Sequence, residues 1–254
     1  MFEESRIGEK KIPPLLSTMT GEAYQPARIY YQVSQKNAVL GRFKRLRCID
    51  YDSTCDRWVW LYTEEAKNIK FDQSYRDIPK QYRPIVLGYF TFEEDKKLRL
   101  DVRSFERVIE AMTFFDRKIN RRLAKVTTIK IVNKLFPATI ATEEMSNHHT
   151  LFFEQRQAVN PKDEMKKLEE IAAQYEAGEE RQEVAFSYLE KQMKKTLPEV
   201  EELETHFYED GIESVAMSLR MRHIEAMEHW KGNKNFSKFD LMTTLLENFE
   251  EEEF

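Results

Sequence analysis

Residues 104–125 read SFERVIEAMTFFDRKINRRLAK, and the rest of the chain is best read outward from them. Phe105, Val108, Ile109, Met112, Phe115, Ile119 and Leu123 recur at steps of three and four. At about 100° per residue they form one stripe, so the spacing predicts an amphipathic helix over 104–125. Ser104 is placed to cap its first free N–H groups. The opposite face carries Arg117, Lys118, Arg121, Arg122 and Lys125, with no acid after Asp116. One face suits burial, and the other suits an anionic partner.

The segments before this helix read as strands. RIYYQVS (28–34) alternates apolar residues, and RWVWLYT (57–63) is β-branched and aromatic throughout. IVLGYFTF (85–92) and LRLDV (98–102) flank the polar EEDKK and predict a hairpin. LGRFKRLRCIDY (40–51), apolar and basic by turns, is read as a further strand after a turn at Lys36-Asn37. An antiparallel sheet of roughly four or five strands packed on the long helix is a common two-layer solution. After the helix, VTTIKIV (126–132) leaves the stripe and fits either a short strand or a helix with a new buried face.

A polar stretch containing His148-His149 marks a junction over 141–160. From Asn160-Pro161 onward the chain reads as α-helical. Met165, Leu168, Ala172, Tyr175, Phe186, Leu189 and Met193 make a heptad-like seam, and Pro198 is expected to open a short acidic helix. Ile212 to Trp230 is amphipathic, and a last helix over 237–249 leads into a Glu-rich end. The expectation is an α+β fold: a basic α+β domain over 1–140, a junction, and an acidic α-helical region over 161–254.

Charge follows that division. The chain of 254 residues has a net charge of −5, but residues 1–140 carry +9 and residues 141–254 carry −14. A basic half points to an anionic partner. An acidic half can fold over the basic one or meet a separate protein. The apolar share of 41% can fill a core, and seven glycines leave little room for Gly-rich phosphate loops. Cys48 and Cys55 are too few for a disulfide framework, which suits a reducing, cytoplasmic setting with two buried thiols. No apolar run is long enough for a membrane span.

The candidate anion-binding residues are Arg117, Lys118, Arg121, Arg122 and Lys125, extended by Arg42, Lys44, Arg45 and Arg47. Phe43, Trp58, Trp60, Tyr89 and Phe90 could stack on unpaired bases or fill the core. Asp50 followed by Glu65-Ala66-Lys67 resembles the spacing of the PD-(D/E)xK nucleases, although Ile49 stands where that pattern has Pro. The resemblance implies two carboxylates holding a divalent cation beside a lysine. Glu202/His206 and Glu225/His229 are two i,i+4 pairs that could line a helical bundle, but no Glu-x-x-His is present. No Walker loop, dinucleotide fingerprint or Gly-x-Ser-x-Gly occurs, so neither a cofactor nor a metal is expected. The sequence favours a non-enzymatic cytoplasmic interaction or regulatory protein with a protein partner. A nucleic-acid-binding regulator and a metal-dependent nuclease are its two alternatives.

Overall fold

The computed structural model describes residues 12–140, 142–176 and 178–244. The Glu-rich end and the last part of the helix expected over 237–249 lie outside the described residues. The core is one seven-stranded antiparallel sheet in the order β2-β3-β4-β5-β1-β6-β7. Its strands are β1 (Ala27–Val33), β2 (Ile49–Asp52), β3 (Arg57–Tyr62), β4 (Ile85–Glu94), β5 (Lys97–Val102), β6 (Ala124–Val132) and β7 (Val200–Glu204). The α-helices are α1 (Lys36–Phe43), α2 (Phe105–Lys118), α3 (Thr142–Ser146), α4 (His148–Phe153), α5 (Pro161–Ala172), α6 (Glu179–Met193) and α7 (Phe207–Lys231), and residues 238–244, the described part of the expected last helix, are helical too. No described helix is long and apolar enough to cross a membrane.

The organising helix, α2, forms as its stripe requires but stops sooner. Ser104 accepts the Arg107 N–H at 3.1 Å, and Phe105, Val108, Met112 and Phe115 are buried. The helix ends at Lys118, because Ile119 is extended and the Asn120 side chain accepts the Arg122 N–H in a tight turn. Ile119 still reaches the core. The expected cationic helix face therefore divides: Arg117 and Lys118 close α2, Arg121 and Arg122 occupy the turn, and Lys125 lies on β6.

The ambiguous 126–132 run is strand. Its step of three from Val126 to Ile129 reflects a bulge, with Tyr30 opposite Thr128 and Tyr31 opposite Val126. The extra residue, Thr127, restores both apolar neighbours to the inner face. Two expectations are corrected. Residues 36–43 are helical, since Val39 and Phe43 are buried at a helical spacing of four. Residues 200–204 are strand β7 rather than the start of an acidic helix, because β6 offers an open edge that they fill. The C-terminal region is thus not wholly helical. A boundary near 140 separates neither the sheet nor the core, for Phe207, Val215 and Leu219 pack into the same cluster as α2.

The inner face of the sheet holds an aromatic knot. Phe90 lies 4.8 Å from both Phe43 and Phe115, and Trp60 lies 5.1 Å from Phe115, between ring centroids. A second cluster, Tyr24, Val132, Phe136, Phe152, Phe153 and Val200, packs around α4. One buried ion pair locks the layers. Arg107 and Glu22 are almost wholly enclosed, at 1% and 0% side-chain exposure. Arg107 also donates to Thr20 Oγ1 at 2.7 Å and to the Val86 and Leu87 carbonyls at 3.2 and 3.3 Å. Burial lowers the Arg107 pKa, and the Glu22 carboxylate opposes that shift.

Breaking this pair should be costly. Arg107→Leu strands the Glu22 carboxylate in the interior, and urea unfolding should show a loss of about 3–5 kcal/mol. Adding Glu22→Gln should recover part of that loss. A single variant as stable as the wild type would show that the pair does not hold the layers.

Candidate anion-binding surfaces

The basic residues singled out in the sequence fall on two stretches, 42–47 and 117–125, that come near each other at Cys48 and Lys118. Ser34 donates its N–H to the Leu123 carbonyl at 2.8 Å, which sets the start of α1 beside the turn after α2. Lys118 lies near enough to Cys48 for its charge to favour the thiolate there. Arg42, Lys44, Arg45, Arg47, Arg117, Lys118, Arg121, Arg122 and Lys125 are all exposed. Two are held by acids of the first half. Arg121 makes a bidentate pair with Asp116 at 2.7 and 2.8 Å and lies 4.9 Å from the Tyr208 ring. Arg47 pairs with Glu64 at 3.4 Å and Glu65 at 3.7 Å. Among the described residues, none of the other seven makes an ion pair, although the Arg117 charge is felt at Glu110.

Several described carboxylates of the acidic half are paired elsewhere. Glu154 pairs with Arg28 and Arg99, Glu199 with Lys134 and Arg156, and Glu202 with Lys130 at 3.2 Å. Glu201 holds Arg222 at 2.6 Å, and Glu204 holds Lys162. Beside the basic end, a cavity of about 600 Å³ is lined by Lys36, Lys44, Asp50, Tyr51, Trp58 and Phe92, among others. Tyr51 is 46% exposed, while Trp58 is half-buried. Phe43, Trp60 and Phe90 belong to the core, and Tyr89 lies on the far face under the Arg57 guanidinium.

The three residues of the nuclease-like spacing do not share a site. Asp50 sits on β2 and lines that cavity, which Glu65 and Lys67 do not line. Glu65 accepts the N–H groups of Arg47 at 3.3 Å and Cys48 at 3.0 Å. Burial works against its charge, but these and its own backbone N–H outweigh it and lower the pKa. Glu65 thus fixes the 44–48 loop, and Lys67 pairs with Glu64.

The two Glu/His pairs are also apart. Glu202 is on β7 and His206 precedes α7, while Glu225 accepts the Leu197 N–H at 2.8 Å and His229 bonds the Phe236 carbonyl. Among the described residues, no group of three or more His, Cys, Asp or Glu side chains could hold a metal ion.

A second surface escaped the sequence reading. The outward positions of β1, β3, β4 and β5, together with α3 and α4, enclose a cleft of about 430 Å³. Arg28, Arg57, Arg99, Arg103, Asp101, His149 and Glu154 are in its wall. Arg28 is buried and forks onto Asp101 at 2.5 and 3.0 Å. Burial opposes its charge, but Asp101 and Tyr30 together outweigh that and raise its pKa. His149 Nε2 lies 2.9 Å from the Val102 carbonyl, which can only accept, so the ring proton is on Nε2. Burial also lowers the His149 pKa, which keeps the ring neutral at pH 7. The signal was present in β5 and the residue after it, where Arg99, Asp101 and Arg103 recur at period two on one face.

No family model matches this chain, and no curated protein or solved structure matches it. Its function must therefore be argued from its own geometry.

The cysteines allow a direct check of the loop that carries Arg45 and Arg47. Cys48 is buried, and burial, followed by the nearby Glu65 carboxylate, pushes its thiol up to about 12. Cys55 is exposed, which corrects the expectation of two buried thiols. A maleimide should therefore modify Cys55 rapidly in the native protein and Cys48 only on unfolding. Equal labelling of both would mean that the loop is open.

Proposed function

We propose that this is a non-enzymatic binder of single-stranded nucleic acid that uses its basic end. The observation that carries the reading is the set of seven exposed cations, Arg42, Lys44, Arg45, Arg117, Lys118, Arg122 and Lys125, that make no ion pair among the described residues. The net charge is −5, and the described acids of the second half that form ion pairs do so with other cations. A cationic end maintained on an acidic protein is suited to drawing in a polyanion. The aromatic cavity beside Lys44 favours unpaired bases, whose faces can lie on Trp58 and Tyr51 while phosphates meet the cations. A regulatory role then amounts to occupancy of a strand, with no bond made or broken.

Fluorescence anisotropy with a labelled oligonucleotide tests this reading. Each phosphate neutralised on a single strand contributes about −0.7 to the slope of log affinity against log salt, so four contacts give about −3. Lys118→Glu with Arg122→Glu should lower affinity by more than about tenfold and flatten that slope. Both side chains are exposed, so the fold should persist. No binding by the wild-type chain at low salt, or undiminished binding by the double variant, would overturn the proposal.

A further inference from the structure

The cleft on the outer face of the sheet has more hydrogen-bond donors than its own acids use. Each guanidinium offers five N–H groups and no acceptor. Arg28 spends Nε and Nη2 on Asp101, and Nη2 also approaches Glu154 at 3.4 Å. Arg57 gives Nε to Asp52 at 3.0 Å and lies 3.9 Å above the Tyr89 ring, leaving both terminal nitrogens uncommitted. Arg99 gives Nη1 to Glu93 and Glu154, while its Nε is buried with no hydrogen-bond partner and lies 3.9 Å from Asp101 Oδ2. Arg103 makes no ion pair or side-chain hydrogen bond among the described residues and is exposed at the mouth. A buried donor without a hydrogen bond is costly, and Asp101 at 3.9 Å is too far to satisfy the Arg99 Nε, which leaves it free for a closer acceptor.

We infer that this cleft binds a small organic phosphomonoester. A phosphate terminus near pH 7 carries a charge of about −1.5 to −2 on three acceptor oxygens. That matches the planar forks of Arg57, Arg99 and Arg103, whereas a carboxylate has two oxygens and a single charge. The cleft of about 430 Å³ falls within the usual range for small-molecule sites and exceeds what a lone oxyanion fills. Val86 and Met145 line the remainder and suit the carbon part of an ester. The inference is independent of the nucleic-acid reading, since the cleft and the basic end share no residue.

Isothermal titration of the full chain tests it, with phenyl phosphate and inorganic phosphate as probes and acetate as control at matched ionic strength. Phenyl phosphate should bind most tightly, inorganic phosphate more weakly, and acetate not measurably at about 10 mM. Arg103→Gln should weaken phenyl phosphate binding about tenfold, a loss of roughly 1.4 kcal/mol, without lowering the melting temperature, because its side chain holds nothing else. Lys118→Glu with Arg122→Glu should leave this binding unchanged. No heat with phenyl phosphate, acetate binding as tight as phosphate, or unaltered binding by the Arg103 variant would each overturn the assignment. Loss in the Lys118/Arg122 variant alone would place the bound phosphate at the basic end and equally overturn it.

Discussion

The architecture turns on one buried guanidinium. Between β3 and β4 the ladder slips: Trp60 pairs with Gly88 and Leu61 with Val86, so Leu87 is an extra residue. Such a bulge frees backbone carbonyls that need donors. Arg107, from the first turn of α2, supplies them to Val86 and Leu87 and meets Glu22 and Thr20 from the segment before β1. One side chain thereby fixes the helix, the bulged strand and the N-terminal loop together. Replacing the charged cluster by apolar residues could be as stable, but no partial removal would be, because each member satisfies another.

That anchorage determines where charge is left over. α2 is held at its start, and its last turn carries the exposed Arg117 and Lys118, with Lys118 near Cys48 in the 44–48 loop that Glu65 secures. Among the described residues, no carboxylate of the second half makes an ion pair with these cations. The second half instead adds β7 to the free edge of β6 and packs α7 against α2, which makes the two oppositely charged halves one folded unit. Tyr208 of α7 accepts the Val126 N–H at 2.9 Å and places its ring near Arg121 and Lys125. The acidic half thus supports the rim of the basic end without neutralising it.

Much of this was legible in the sequence where the pattern is local. The stripe of α2, the hairpin joining β4 to β5 and the strand character of β1 and β3 each follow from periodicity within a few residues. α1 is obscured because cations separate its apolar residues and Val39 and Phe43 mark only one turn of helical spacing, too short a stretch to set a period. β7, VEELE, has no strand signature of its own and forms because β6 offers it an edge. The candidate cations were visible as composition, and their exposure was not. The arginine-lined cleft was hidden for a further reason: it requires four strands in register and a helix pair above them, none adjacent in sequence to all the others.

The central claim, that the open basic end receives a single strand of nucleic acid, is tested most directly by amide chemical-shift mapping of the full chain against a short oligothymidylate. The account predicts that perturbed amides cluster at residues 42–51 and 117–125 and fade as salt is raised. Shifts confined to α5, α6 or β7, or an unchanged spectrum at low salt, would contradict it.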